Sequence, residues 1–282
     1  MHLIMKKLAF ILLAALLTSG CANEKITLMS FNIRNSSAWA EDGENCWNNR
    51  REAVAAMILK ETPDAVGMQE VLPDQLAYLD SALGGSYRRI GVGRDDGDTL
   101  GENMCIYYNY NRLLLVGWKS YWLSETPDSV SFGWDAACRR TVTVGIFEDI
   151  HSGHHFTYMN THLDHVGKVA RRNSVLQLCR MADEADGPVV IGGDMNSGIS
   201  DSIFIPLRRN GLLSARDIAP ITDTSYTFNG YGKCAPSRID HFFVRGMDVN
   251  EFHTLDGSYG VPYISDHYPV KTILKFRRNR ER

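Results

Sequence analysis

The segment VVIGGDMNS, residues 189–197, decides how the rest of the chain is read. Val189, Val190 and Ile191 form a short, wholly apolar, β-branched run, which predicts a buried strand. The run passes into Gly192-Gly193, after which a carboxylate and a carboxamide, Asp194 and Asn196, arrive together. Taken alone, the two glycines read as a tight turn and Asp194 as a turn residue. The segment becomes informative because other strand ends repeat it.

Working outward, Ile26 to Phe31 (ITLMSF) predicts a strand that ends at Asn32, and Ala65 to Met68 predicts one with Glu70 just past its end. Arg140 to Phe147 and Phe156 to Asn160 read as strands joined across the polar hairpin 151–154, with His162 following the second. Ile239 to Val244 and Tyr268 to Phe276 are the closing strands, bringing Asp240, Asp266 and His267 to strand ends. Asn103 to Asn109 and Leu113 to Trp122 are predicted to pair with each other around the turn Asn109-Tyr110-Asn111. Helical spacing of apolar residues predicts helices over 50–60, 74–83 and 168–185. Helices falling between groups of strands suit two packed sheets flanked by helices.

Six strand ends thus carry a carboxylate, carboxamide or imidazole, and such groups at one edge of a β core can converge on a cleft. Glu70, Asp266 and Asn32 are hard oxygen donors, and no Cys/His cluster accompanies them. That donor set favours Mg²⁺ or Mn²⁺ over Zn²⁺. His151, His154, His155 and His165 read as solvated loop residues with no assigned role.

The 282 residues carry 30 Lys+Arg against 33 Asp+Glu, a net charge of −3, which argues against tight, sequence-blind binding of nucleic acid. No linker or repeat divides the chain, so a single catalytic domain over 24–278 is expected. At the N-terminus Lys6 and Lys7 precede the apolar run Leu8 to Leu17, which is too short to cross a bilayer of about 30 Å. Thr18-Ser19-Gly20 and Cys21 follow, an order resembling a bacterial lipoprotein signal, although Thr18 stands where Leu is usual. The expectation is removal of residues 1–20, lipid on Cys21, and a periplasmic or cell-surface protein attached to the membrane. Of the other five cysteines, Cys46, Cys138 and Cys234 lie in loop-like segments with room for one disulfide.

The segments SFNIRN (30–35), MQEV (68–71), NTHLDH (160–165), GGDMNS (192–197), SRIDHFFV (237–244) and SDHYPV (265–270) resemble the endonuclease/exonuclease/phosphatase superfamily, in its order. The resemblance implies a four-layer α/β/β/α sandwich of two mixed β-sheets with the site at one end, and a monomer is expected. It implies that Glu70 is the main metal ligand, with Asn32 beside it and Asp266 nearby. By the same resemblance Asp194 orients or deprotonates the attacking water, and Asn196 steadies the pentavalent phosphorane. His267 meets the scissile phosphate, Asp240 holds that histidine, and His162, which resembles a second histidine of the nuclease and sphingomyelinase branches, lies near the leaving group. Arg140, with Arg139 as neighbour, resembles a family arginine at the substrate phosphate. The segments Tyr121–Pro127 and Gly133–Ala136 form either a cleft wall or a structural hairpin. The function implied is a Mg²⁺- or Mn²⁺-dependent hydrolase of phosphate esters, with diesters expected. An extracellular nuclease is the alternative, and a non-catalytic ligand-binding lipoprotein the outlying one.

Overall fold

A computed structural model describes residues 25–277; the signal segment and Cys21 lie outside the described residues. The chain forms two six-stranded sheets. In the first the order is β11 (Met247–Thr254), β12 (Val270–Phe276), β1 (Lys25–Asn32), β2 (Ala65–Gln69), β4 (Ile106–Asn109), β3 (Tyr87–Ile90). In the second it is β5 (Leu113–Trp122), β6 (Thr141–Asp149), β7 (His155–His162), β8 (Val189–Asp194), β10 (Asp240–Arg245), β9 (Leu213–Ser214). Val54, Met57 and Ile58 of the helix Trp47–Glu61, with Leu76 and Leu79 of Pro73–Leu83, pack on Met29, Phe31, Val66 and Met68 of the first sheet. Val175, Leu178 and Ala182 of Lys168–Glu184 pack on Val142, Met159, Val189 and Ile191 of the second. Leu28, Phe147, Phe156, Tyr158, Phe242 and Leu274 fill the space between the sheets. The result is the expected mixed, four-layer α/β/β/α sandwich.

Each sheet has one parallel pair at its centre, β1 with β2 and β7 with β8, and every other pairing is antiparallel. The C-terminal ends of β1, β2, β7 and β8 and the starts of β10 and β12 therefore lie along one edge of the sandwich. Side chains alternate across a strand, so the inward face can be read two residues at a time. It runs Ile26, Leu28, Ser30, Asn32 on β1 and Phe156, Tyr158, Asn160, His162 on β7. On β8 it runs Val190, Gly192, Asp194, and backward along β10 Val244, Phe242, Asp240. The space between the sheets thus changes from apolar to polar toward that single edge.

Buried polar groups here are paired across the sheets. The Asn160 side-chain amide donates to the Met68 and Cys105 carbonyls, both at 2.8 Å, and its oxygen accepts from Gln69 at 2.7 Å. Tyr158 donates to the Met29 carbonyl at 2.9 Å. Close approach explains Gly192-Gly193, which are strand and not turn. A Cβ on Gly193 would stand 1.9 Å from the Thr161 carbonyl oxygen, and one on Gly192 2.5 Å from the Phe242 ring.

Two further expectations are corrected. Residues 106–109 and 113–122 are strands, but they do not pair with each other. Both flanks of β4 are taken by β2 and β3, and the turn after Asn109 carries the chain into the other sheet, where β5 pairs with β6. Buried Arg112 anchors this crossing by pairing with Asp149 and donating to the Lys25 carbonyl. The cysteines Cys46, Cys105, Cys138, Cys179 and Cys234 are all free thiols.

Asn160→Leu keeps the shape but removes three hydrogen bonds that join the sheets across a buried seam. The expected loss is about 2 kcal/mol of stability, read as a lower urea midpoint at unchanged slope. An unchanged midpoint would show that the seam does not couple the sheets.

Candidate active site

Every residue singled out from the strand ends reaches the polar edge. Asn32, His162, Asp194, Asp240 and His267 are each at most 5% exposed. Asp194 sits at the centre. One of its oxygens lies 3.4 Å from His162 Nε2 and 3.6 Å from His267 Nε2, and accepts from the Asn32 amide at 3.1 Å. The other accepts from the Asn196 backbone at 2.9 Å. His267 Nδ1 is 2.9 Å from Asp240, completing a carboxylate–imidazole–carboxylate row. The Asp240 backbone N–H donates to buried Thr227, and Phe228 packs its ring 4.9 Å from the His267 ring.

The backbone departs from regular geometry where the chemistry is placed. Glu70 follows β2 and by strict alternation would face the helices with Val66 and Met68. Its φ of 64° turns the carboxylate to the Asn32 amide at 3.0 Å. Asn196 has φ 47°, which turns its amide toward the Leu163 carbonyl and His162 Nε2, both at 2.9 Å. Left-handed backbone in non-glycine residues costs on the order of 1 kcal/mol each and concentrates where surrounding contacts over-determine it.

Asn35 holds the far oxygen of Glu70 through its backbone and side chain, at 3.1 and 2.9 Å. Buried Arg50 ties the chain leaving β1 to the chain entering β12 by donating to the Ile33 and Ile264 carbonyls. Neither role was read from the sequence. Asn35 lies inside the SFNIRN motif, but Arg50 carries no local signal beyond a charge on the apolar face of a helix.

Burial acts to raise the Glu70 carboxyl, but the hydrogen bond from Asn32, the charge of His267, the Asn35 hydrogen bond and Arg34 hold it below the ordinary range. Asp266 is raised by burial, against the pull of His267, and by the charge of Glu70. Asp194 is pushed up to about 7 by burial and the charge of Asp240, with His267 opposing. Burial disfavours charge on His267, yet Asp240 and Asp194 together raise it well above the usual imidazole range. His162 goes the other way: burial and the positive charges of Arg140, His267 and Arg94 hold it well below. Nothing in the sequence distinguishes the ionisation of the two histidines. The structure separates them into an imidazolium and a neutral ring.

Glu70 and Asp266 share one side of this cluster, and the cations acting on them are His267 and Arg34. Because His267 also answers Asp240 and Asp194, and Arg34 also pairs with Asp42, anionic oxygen is left in surplus, which fits a divalent cation such as Mg²⁺. Asn32 lies beside Glu70, as expected. Its amide nitrogen faces Glu70 and Asp194, and its oxygen accepts from the Arg34 backbone at 3.0 Å, so here it spaces two carboxylates.

Arg140 is 5% exposed and donates through Nε to Asp164 at 3.2 Å, while its Nη2 lies 2.9 Å from His165 Nδ1. His165 therefore has a partner that its reading as a solvated loop residue did not anticipate. Arg139 instead pairs with Asp95.

A base-like carboxyl, a fixed imidazolium and an anionic cation seat within one buried cluster fit the attack of water on a phosphate ester. The chain belongs to the endonuclease/exonuclease/phosphatase family, which it matches over residues 29–267, and is accordingly a phosphoester hydrolase. A family member from Bacteroides vulgatus superposes with a TM-score of 0.84 at 33% identity, covering 90% of this chain and 99% of the other. A mannosyl-6-phosphatase of Bacteroides thetaiotaomicron gives a TM-score of 0.83 at 33% identity, covering 89% and 100%. A protein of Acanthamoeba polyphaga mimivirus is 26% identical over 81% of this chain and 92% of its own.

Asp240→Asn removes the largest of the carboxylate charges that favour the His267 imidazolium. The His267 pKa then falls, and the alkaline limb of the pH–rate profile moves to lower pH. At pH 8 the rate is expected to drop about 100-fold, in the range of general acid–base assistance. Superimposable profiles for variant and parent would refute the pairing.

Proposed function

We propose that this chain hydrolyses phosphate monoesters of small hydroxylic compounds, sugar phosphates in particular, with Mg²⁺ or Mn²⁺ held by Glu70 and Asp266. The observation that carries the hydrolytic part is Asp194, a buried carboxyl flanked at 3.4 and 3.6 Å by one neutral and one charged imidazole. The 33% identity to a mannosyl-6-phosphatase across nearly the whole chain supports the sugar-phosphate choice. The diester expected from the sequence stays the second reading, favoured by His162, which resembles the nuclease and sphingomyelinase branches.

Asp194, titrating near neutrality, orients water and accepts its proton. His267, kept charged by Asp240, places a positive hydrogen-bond donor where charge builds on the phosphate oxygens. Asn196 adds an amide beside His162 at the same place. Arg140 has a buried Nη1 without a protein partner among the described residues, which suits a phosphate oxygen. A divalent cation bound at Glu70 and Asp266 would supply further positive charge to the phosphate. Neutral His162 can hydrogen-bond the leaving oxygen. Export and attachment through Cys21 belong to this proposal, on the order of basic, apolar and small residues before that cysteine.

Glu70→Gln exchanges an anionic ligand for a neutral one of equal shape. With saturating Mg²⁺ its kcat/KM on p-nitrophenyl phosphate is expected to fall at least about 100-fold, a barrier rise near 3 kcal/mol, at unchanged Tm. Activity within about threefold of the parent, under ~1 kcal/mol, sinks the metal assignment. A panel of sugar phosphates, DNA, RNA and sphingomyelin under the same conditions tests the substrate; a clear preference for diesters reverses the proposal in favour of the second reading. Mass spectrometry of the mature protein is expected to find lipid on an N-terminal Cys21, and an unmodified Cys21 rules the anchor out.

A further inference from the structure

The loop between β3 and β4 was given no part in the chemistry, yet it is stitched to the site. The Asn103 backbone donates to the Val71 carbonyl at 2.8 Å, one residue past Glu70, and Asn103 also bridges to Gly93. Trp122 at the end of β5 donates its indole N–H to the Arg94 carbonyl at 2.8 Å. The ion pair of Asp95 with Arg139, at 3.2 Å, fastens the loop to the segment that carries Arg140.

Inside this loop Arg94 donates through Nη1 to Glu102 at 2.6 Å, and the two side chains are 13% and 14% exposed. The contact uses one end of the guanidinium. Nε of Arg94 is buried with no protein partner among the described residues, as is Nη1 of Arg140. Buried donors of this kind are costly to leave unmade, and a planar, always-charged guanidinium matches phosphate oxygens. The positive charges of Arg94 and Arg140 both act on His162, and both act on Glu102 together with the negative charge of Glu70. Arg94 and Arg140 therefore both lie within electrostatic reach of His162 and of Glu102.

We propose that Arg94, oriented by Glu102, is a second guanidinium arm that binds the terminal oxygens of a phosphomonoester beside Arg140 and selects monoesters over diesters. This rests on the monoester reading given above. A monoester near neutral pH presents three non-bridging oxygens and close to two negative charges, whereas a diester presents two oxygens and one charge. A fixed second guanidinium rewards the additional oxygen and charge, and a diester's second substituent would meet it instead. Glu102 is a positioning residue that takes Nη1 of Arg94 and leaves its Nε unpaired.

The test compares the full-length parent with Arg94→Gln and Arg94→Lys, using p-nitrophenyl phosphate and methyl p-nitrophenyl phosphate, which share a leaving group. Inhibition by inorganic phosphate and Tm are measured alongside. The parent is expected to favour the monoester. Arg94→Gln is expected to lower the monoester-to-diester ratio of kcat/KM by about 10- to 100-fold, the worth of a lost charge-assisted hydrogen bond, with the diester rate within threefold. Phosphate inhibition should weaken by a similar factor. Arg94→Lys, which keeps the charge and loses the fork, should fall between, and it decides the matter if Arg94→Gln does not fold. A parent that favours the diester overturns the monoester reading and this inference with it. A parent that favours the monoester, with a ratio unchanged in the variants or both substrates falling equally, overturns this inference alone.

Discussion

Asn160 is the interaction on which the site depends. Its amide reaches from β7 in one sheet to carbonyls on β2 and just before β4 in the other, at 2.8 Å each. Two residues further along β7 comes His162, and two residues beyond Met68 comes Glu70. The same amide that fixes the spacing of the sheets therefore fixes Glu70 relative to His162. An apolar pair at this place would fill the space but could slide. Directional hydrogen bonds between buried groups permit one register, because any other leaves polar atoms unpaired.

Around that seam the fold gathers charge that water would otherwise solvate. Glu70, Asp194, Asp240 and Asp266 come together at one edge, and they are tolerated because each meets a donor or cation. Asn32 separates Glu70 from Asp194, His267 stands between Asp194 and Asp240, and Arg34 lies 4.0 Å from Asp266. The balance is uneven by design of the packing. Glu70 stays below the usual carboxylate range, whereas Asp194 rises to about 7. Two carboxylates a few ångströms apart are thereby suited to different tasks, one to hold a cation and one to trade a proton.

Much of this was legible in the sequence. The strands carrying Asn32, Glu70, His162 and Asp194 were found because apolar runs of strand length stop at a polar residue. The three long helices are legible in local sequence, whereas the short ones at Trp39–Asp42, Ile205–Arg209 and Ala215–Ile218 are not. What escaped was pairing across the layers. Residues 106–109 and 113–122 look like a hairpin, since the turn between them is local and nothing nearby shows that β4 is already flanked by β2 and β3. Gly192-Gly193 looks like a turn, since the Thr161 and Phe242 atoms that exclude a Cβ come from other strands. Asn35, Arg94 and Glu102 are not legible in the sequence, because each acts through a neighbour distant along the chain or through a loop of no periodicity.

The sequence by itself determined which groups are available and in what order the strands deliver them, because residue type and the two-residue period of a strand are local properties. Only the tertiary structure decided what those groups are at neutral pH. Asp194 meets Asn32 across 162 positions and His267 meets Asp240 across 27. A proton's affinity for a side chain depends on burial and on the charges folded against it. Two histidines that are indistinguishable as letters therefore become one imidazolium and one neutral ring, and that difference exists only once both sheets are in place.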